Sequence, residues 1–254
     1  MIRLFTLLLA LCMACVVQAA EKPKVLMLAS SKIMAKTKLL ERLAEQQPFK
    51  LEVLTRTDEM TDEELAGHWV KADVVLLDGL NPILSNSMFE RHQPLLKQFP
   101  DIPVVALGNP GNASLNQGLQ PKQQETLEAY SRNAGRSNYQ NMLTYLASEI
   151  LGVGGEQAAA PVEVPALGLY HPDFPDLLTA DNLAFFDWLQ PVADQPLIAL
   201  GMHRGAVDYE QSEVVDSLIR RLTAKGARVF GFYYDEDDQV MDFKALFANK
   251  QQVP

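Results

Sequence analysis

Short, nearly continuous apolar runs alternate along the chain with longer stretches in which apolar residues return every three or four positions. Lys24-Val25-Leu26-Met27-Leu28-Ala29 reads as a strand and ends in Ser30-Ser31, a good helix start. Leu39, Leu40 and Leu43 then recur at helical spacing to about Gln47. Phe49 to Leu54 alternates as a second strand, and Thr61-Asp62-Glu63-Glu64 opens a helix carrying Leu65, Trp69 and Val70. Val74-Val75-Leu76-Leu77, closed by Asp78-Gly79, is a third strand, and Val104-Val105-Ala106-Leu107, closed by Gly108-Asn109-Pro110-Gly111, a fourth; Pro82 to Phe99 between them reads as a helix. Strands buried on both faces and joined by helices predict a parallel sheet of the α/β class with right-handed crossovers.

Pro121 to Leu151 has a helical pattern, with Tyr139, Met142, Leu143, Leu146 and Ile150 on one face and Gly135 placed to split it in two. The Gly/Ala/Pro stretch from Gly152 to Pro165 is the best linker in the chain. The rhythm then restarts. Ala166 to Tyr170 is a short strand ending in His171-Pro172, Leu183 to Leu189 a short helix, and Leu197 to Met202 a strand ending in His203-Arg204. Val214, Val215, Leu218, Ile219 and Leu222 share a helix face, Gly226 sits where a C-cap glycine belongs, and Val229 to Tyr234 is the next strand. The expected layout is a segment 1–19, an α/β unit over 23–151 of flavodoxin-like rhythm, a linker over 152–165, and over 166–254 the beginning of a second α/β unit, incomplete, with both sheets parallel and flanked by helices.

The first residues change the picture of where the chain works. Met1-Ile2-Arg3 is a short positive start, and Leu4 to Val17 is an apolar stretch of 14 residues, too short for the ~20 that span a bilayer. Val17-Gln18-Ala19 supplies small residues at the −3 and −1 positions, so a signal peptide cleaved after Ala19, export to the periplasm and no integral membrane segment in the mature chain are expected. Cys12-Met13-Ala14-Cys15 is a poor lipoprotein match. Both cysteines lie in this segment, so the mature chain would carry no disulfide, thiolate metal site or cysteine nucleophile. The formal charge of −10, or −11 once Arg3 is removed, repels phosphate backbones and argues against nucleic acid as a partner.

Candidate chemistry is sparse. No P-loop and no G-x-S-x-G occurs. None of the four histidines pair at i, i+4. His68 and His92 lie on predicted helices and read as solvated surface residues. His171 and His203 each close a strand at what should be the ligand-binding carboxyl edge of a parallel sheet, although such a histidine can equally cap its own loop. Arg204 is placed to hold a carboxylate, or to pair structurally with Asp208 or Glu210. Arg132 and Arg136, four apart, and the acidic run Asp235-Glu236-Asp237-Asp238 read as solvated, and Asn112-Ala113-Ser114 is a formal glycosylation sequon.

Two stretches resemble the large subunit of tetrapyrrole metal chelatases, the cobaltochelatase CobN and magnesium chelatase H family. The first is Gly168-Leu169-Tyr170-His171-Pro172 with the aromatic-rich helix ending in Trp188. The second is Pro196-Leu197-Ile198-Ala199-Leu200-Gly201-Met202-His203-Arg204, continuing through Asp216-Ser217-Leu218-Ile219 to Lys225-Gly226-Ala227-Arg228-Val229. Asn133-Ala134-Gly135-Arg136-Ser137-Asn138 is similar to the family's Gly-Gly-x-x-Asn stretch, with Ala134 in place of a usual glycine.

The resemblance implies the N-terminal part of a chelatase-like large subunit that binds a tetrapyrrole (a porphyrin, haem or a cobalamin precursor) for insertion or removal of a divalent metal. It implies His171, His203 and Arg204 as ligand-binding residues. It implies no cofactor in this chain itself, and ATP used only through separate AAA+-type partner subunits. The family's large subunits are far longer, so the isolated chain is expected to show no turnover even with ATP. A non-enzymatic periplasmic binding protein for haem or a corrinoid, and an interaction module without a ligand, are the other readings. If the strands ending in His171 and His203 were parallel neighbours, His171, His203 and Arg204 would face one crevice. Removing Arg204 would then weaken tetrapyrrole binding by ~1.5–3 kcal/mol and cost less in stability.

Overall fold

The structure is a computed structural model that describes residues 21–30, 33–79, 82–107, 114–175 and 177–234, the side chains of 82–89 excepted. The expected signal segment, Asn112 and Ala113 of the sequon, and the acidic run after Tyr234 lie outside the described residues. The first sheet contains β1 (Lys24–Ala29), β2 (Lys50–Leu54), β3 (Val74–Asp78) and β4 (Val104–Leu107) in the order β2-β1-β3-β4, every pair parallel. β1, β3 and β4 read as apolar runs because both their faces are covered, while β2 at the sheet edge alternates and is only partly buried. Val25, Met27, Val74, Leu76 and Val105 point into one core, with α1 (Met34–Ala44), α4 (Pro121–Asn133) and α5 (Gly135–Tyr145). Leu26, Leu28, Val75, Leu77 and Val104 point into the other, with α2 (Asp62–Trp69) and α3 (Pro82–Gln98). The helix start expected at Thr61 is present as a capping box: Glu64 N–H donates to Thr61 Oγ1 (3.2 Å), and Thr61 N–H donates to the Glu64 carboxylate (2.8 Å).

His92 departs from expectation. It is completely buried, stacked at 6.0 Å on the indole of Trp69. The reason lies in packing: Leu95, one turn on from it, and Trp69 both belong to the α2–α3 core, so this face of α3 turns inward. Among the described residues, neither ring nitrogen of His92 has a hydrogen-bond partner.

The second sheet has the order β6-β5-β8-β7, from β5 (Leu167–Tyr170), β6 (Leu178–Thr179), β7 (Leu197–His203) and β8 (Arg228–Tyr234). β7 and β8 are parallel, joined by α7 (Gly205–Asp208) and α8 (Glu213–Thr223). The chain is therefore α/β in both units, but this second sheet is mixed, because β5 runs antiparallel to both β6 and β8. The step from Tyr170 to Leu178 is short, so β5 and β6 form a tight antiparallel pair, whereas β6 to β7 through α6 and β7 to β8 through α7 and α8 are helical crossovers between strands of one direction. One face packs on α7 and α8 through Tyr170, Met202, Ile219, Val229 and Tyr233; the other packs on α6 (Asn182–Leu189) through Leu169, Phe185, Leu189 and Phe230. Two glycines are required by close approach. A Cβ at Gly168 would lie 2.4 Å from the hydroxyl of Tyr233, and one at Gly201 2.8 Å from the ring of Phe232. On β7 the alternate positions Leu197, Ala199, Gly201 and His203 are exposed.

The stretch expected as a linker runs as coil and is fastened along its length. Tyr130 Oη donates to Ala159 O, and Ala159 N–H donates to Asn141 Oδ1 (2.9 Å). Asn138 clasps Val162 in both directions, its amide donating to Val162 O and its oxygen accepting from Val162 N–H, both at 2.9 Å. The split at Gly135 is present: α4 ends and α5 begins across Ala134 (φ 53°, ψ −164°) and Gly135 (φ 76°), both left-handed. For Ala134 that geometry is strained.

Candidate functional site at the carboxyl edges

His203 and Arg204 end β7, as expected, at the carboxyl edge of the second sheet. Their fates differ. His203 is exposed, and its Nδ1 accepts the backbone N–H of Gly205 at 2.9 Å. A neutral ring that accepts at Nδ1 carries its hydrogen on Nε2. The ring thus offers a donor, oriented by its own loop, and meets Tyr234 edge-on with centroids 6.4 Å apart.

Arg204 is only 7% exposed, which corrects the expectation that a strand-end side chain makes few interior contacts. Its guanidinium donates to Asp208 Oδ2 (3.0 Å), Asn133 O (2.6 Å) and Val164 O (3.2 Å). Asn133 O is at the carboxyl end of α4. Asp208 lies beside the start of α5, where a Cβ at Gly135 would stand 4.0 Å from its carboxylate. The ion pair therefore meets the negative end of one helix with its cation and the positive end of the next with its anion. Arg204 joins the two units and the coil between them.

His171 does not share a crevice with these residues. β5 is antiparallel to β8 and separated from β7 by it, so Tyr170 pairs with Gly231, which in turn pairs with Leu200, three residues short of His203. Its Nδ1 accepts Asp173 N–H (3.0 Å) and its ring meets Trp188 edge-on at 4.8 Å. Burial pushes its pKa below the ordinary histidine value. The other conspicuous residues of the two stretches knit them together. Tyr170 Oη donates to Asp216 at 2.6 Å, so the first stretch is bonded to the second. Burial, followed by the Asp216 carboxylate, pushes the Tyr170 phenol up to about 12.

A second polar cluster escaped sequence reasoning. Lys36, near the start of α1, and Asp78, the last residue of β3, form a buried ion pair at 2.6 Å beyond the carboxyl ends of β1 and β3. Lys36 Nζ also donates to Ser131 Oγ (3.0 Å) and stands 5.5 Å from the Tyr139 ring centroid. Burial holds the Tyr139 phenol well above its usual range. Tyr209, contributed by the second unit, stacks on Tyr139 at 6.5 Å. The one available signal was position: the loops leaving β1 and β3 flank the point where strand order reverses. His68, read as solvated, is partly exposed and bonds Glu52 at 3.0 Å. Arg136, read the same way, pairs with Glu210. Among the described residues, no cluster of three or more His, Cys, Asp or Glu side chains could hold a metal ion, and no helix is long and apolar enough to cross a membrane.

This arrangement, a strand ending in an oriented histidine and a buried arginine tied through α7 to its neighbouring unit, lies inside a segment with known relatives. The CobN/magnesium chelatase family model matches residues 128–254, half of the chain, and the chain belongs to that family. The H subunit of magnesium chelatase from Rhodobacter capsulatus is 32% identical over 103 residues, covering 39% of this chain and 8% of that protein. The catalytic subunit of cobaltochelatase from Mycobacterium tuberculosis has a similar fold over 87% of this chain and 17% of its own, with a TM-score of 0.56 and 16% identity. The chain thus spans a small part of the length of both.

Proposed function

We propose that this chain is the tetrapyrrole-holding N-terminal region of a chelatase-like large subunit, and that His203 contacts the macrocycle's acidic side arms. The observation that carries the reading is His203 itself. It is exposed at the carboxyl edge, within the segment matched to the family, with its ring set so that Nε2–H is a donor. Beside it the exposed flank of β7 carries the small residues Ala199 and Gly201, with Leu197 beyond them, an apolar strip against which a planar ring can lie. A carboxylate arm accepting from Nε2–H would make a charge-assisted hydrogen bond while Nδ1 keeps the Gly205 N–H. Arg204 serves by position: it anchors α7, and so the Gly205 N–H that orients the His203 ring. His171 acts on the loop that carries Asp173 and on Trp188 rather than on the same arm. Metal insertion or removal would draw its divalent ion as substrate and its ATP through separate AAA+-type subunits, in an exported, periplasmic protein.

The test is a titration of a metal-free dicarboxylate porphyrin, followed by absorbance, beside thermal melting. His203→Ala is expected to weaken binding by about 1.5–3 kcal/mol, the range for a hydrogen bond to a charged group, with little change in melting temperature. His171→Ala is expected to lower the melting temperature and leave binding nearly unchanged. Equal porphyrin affinity in the wild type and His203→Ala would defeat the assignment.

A further inference from the structure

The carboxyl ends of β1 and β3 are where an open α/β sheet of this strand order receives ligands, because successive crossovers leave to opposite sides there. In this protein a side chain of the second unit reaches the polar cluster at those ends. Tyr209 follows α7 directly and stacks on Tyr139, whose ring faces the buried Lys36–Asp78 pair. Burial, ahead of the nearby charges, raises the pKa of the Tyr209 phenol.

What holds Tyr209 in place is unequal around its circumference. On one side is the buried Arg204–Asp208 pair, fixed to Asn133 O and Val164 O. On the other side is Glu210, in the left-handed region at φ 58°, bound by Arg42 of α1 at 3.2 Å and by Arg136 of α5. Those arginines are more than half exposed, and exposed ion pairs contribute little and weaken with salt. Between α1 and the turn after α7 lies an open cleft of about 680 Å³, walled by Lys38, Arg42, Glu45, Tyr209 and Glu213. Solvent therefore already reaches Tyr209 from the side that Glu210 guards.

We propose that Tyr209 and Glu210 form a releasable plug over a ligand crevice at the carboxyl ends of β1 and β3, pivoting on Arg204 and latched by Glu210. Withdrawal of Tyr209 opens a path past the edge of Tyr139 to the Lys36 ammonium and the Ser131 hydroxyl, which then serve as donors to a ligand. The contact is autoinhibitory: the crevice and the plug exclude each other. The inference concerns the first unit and stands apart from the assignment of His203.

Acylation of lysines by acetic anhydride, mapped by peptide mass, reads the plug directly on the full chain. Lys36 is 5% exposed and is expected to react slowly, whereas the exposed Lys122 sets the intrinsic rate. Glu210→Gln keeps the size and removes the latch charge, and is expected to raise the Lys36 rate at least tenfold relative to Lys122. In the wild type, raising NaCl from 0.05 to about 0.5 M is expected to act in the same direction. Amide exchange in β1 and β3 should stay protected throughout. An unchanged Lys36 rate in Glu210→Gln would overturn the proposal. So would a rise that appears only together with loss of protection in β1 and β3, because Lys36 would then be reached by unfolding.

Discussion

Arg204→Ala is expected to destabilise the chain by about 3–5 kcal/mol, the usual consequence of leaving one member of a buried ion pair alone. The loss has three parts. Asp208, itself buried, keeps a charge with its main partner gone. Asn133 O at the end of α4 and Val164 O in the coil each lose a charged donor. Urea unfolding of the wild type and variant measures the total. A double variant, Arg204→Met with Asp208→Leu, separates pairing from shape: it should recover a large part of the loss, because an apolar pair of similar volume removes the uncompensated charge. A single variant within about 1 kcal/mol of wild type would show that the joint between the units carries little of the stability.

Acid should act mainly through His92. Burial, with a smaller contribution from the Arg91 charge, lowers its pKa from 6.5 to about 4. Between those values the unfolded chain takes up a proton that the folded chain refuses. This stability is fully present above pH 6.5 and is lost as pH falls toward 4, about 3 kcal/mol in all. His171, lowered by its own burial, works in the same direction. His92→Leu also removes two buried nitrogens that have no partner, so it should be nearly neutral or stabilising at pH 7.5. Its gain over wild type should grow as pH falls to 4.5. Melting curves across pH 4–8 test this, and parallel curves for the two proteins would exclude His92 as the titrating group.

The sequence disclosed most of the first unit because β1, β3 and β4 are buried on both faces, which writes them as apolar runs such as Val74 to Leu77. It disclosed less of the second sheet. Leu167–Tyr170 has four residues, and nothing in so short a run distinguishes a parallel from an antiparallel neighbour. That difference moved His171 away from His203. Burial of individual polar residues was hidden for a related reason. His92 stands among charged and polar neighbours in sequence and Arg204 follows the end of an apolar strand, and each is buried by partners distant in the chain, Trp69 in one case and Asn133 and Val164 in the other. Asp208 had been visible as a partner for Arg204, because spacing i, i+4 on a short helix is local. Lys36 and Asp78 are 42 residues apart, and only the β1–β3 pairing brings their elements together.

The fastening of the coil after α5 bears on how the chain can be divided. A boundary drawn within Gly152 to Pro165 cuts at the region richest in glycine, alanine and proline, yet any such cut separates Arg204 from Asn133; placed before Ala159 it also separates Asn138 from Val162 and Asn141 from Ala159, and placed after Val164 it separates Arg204 from Val164. Each half would expose an amide or carbonyl that had been answered by the other. A gene split at this stretch would therefore yield two polypeptides that must find each other to be whole. The shorter pieces that inherit an intact seam are those that keep α4, α5 and the coil on the same side of the cut as β7.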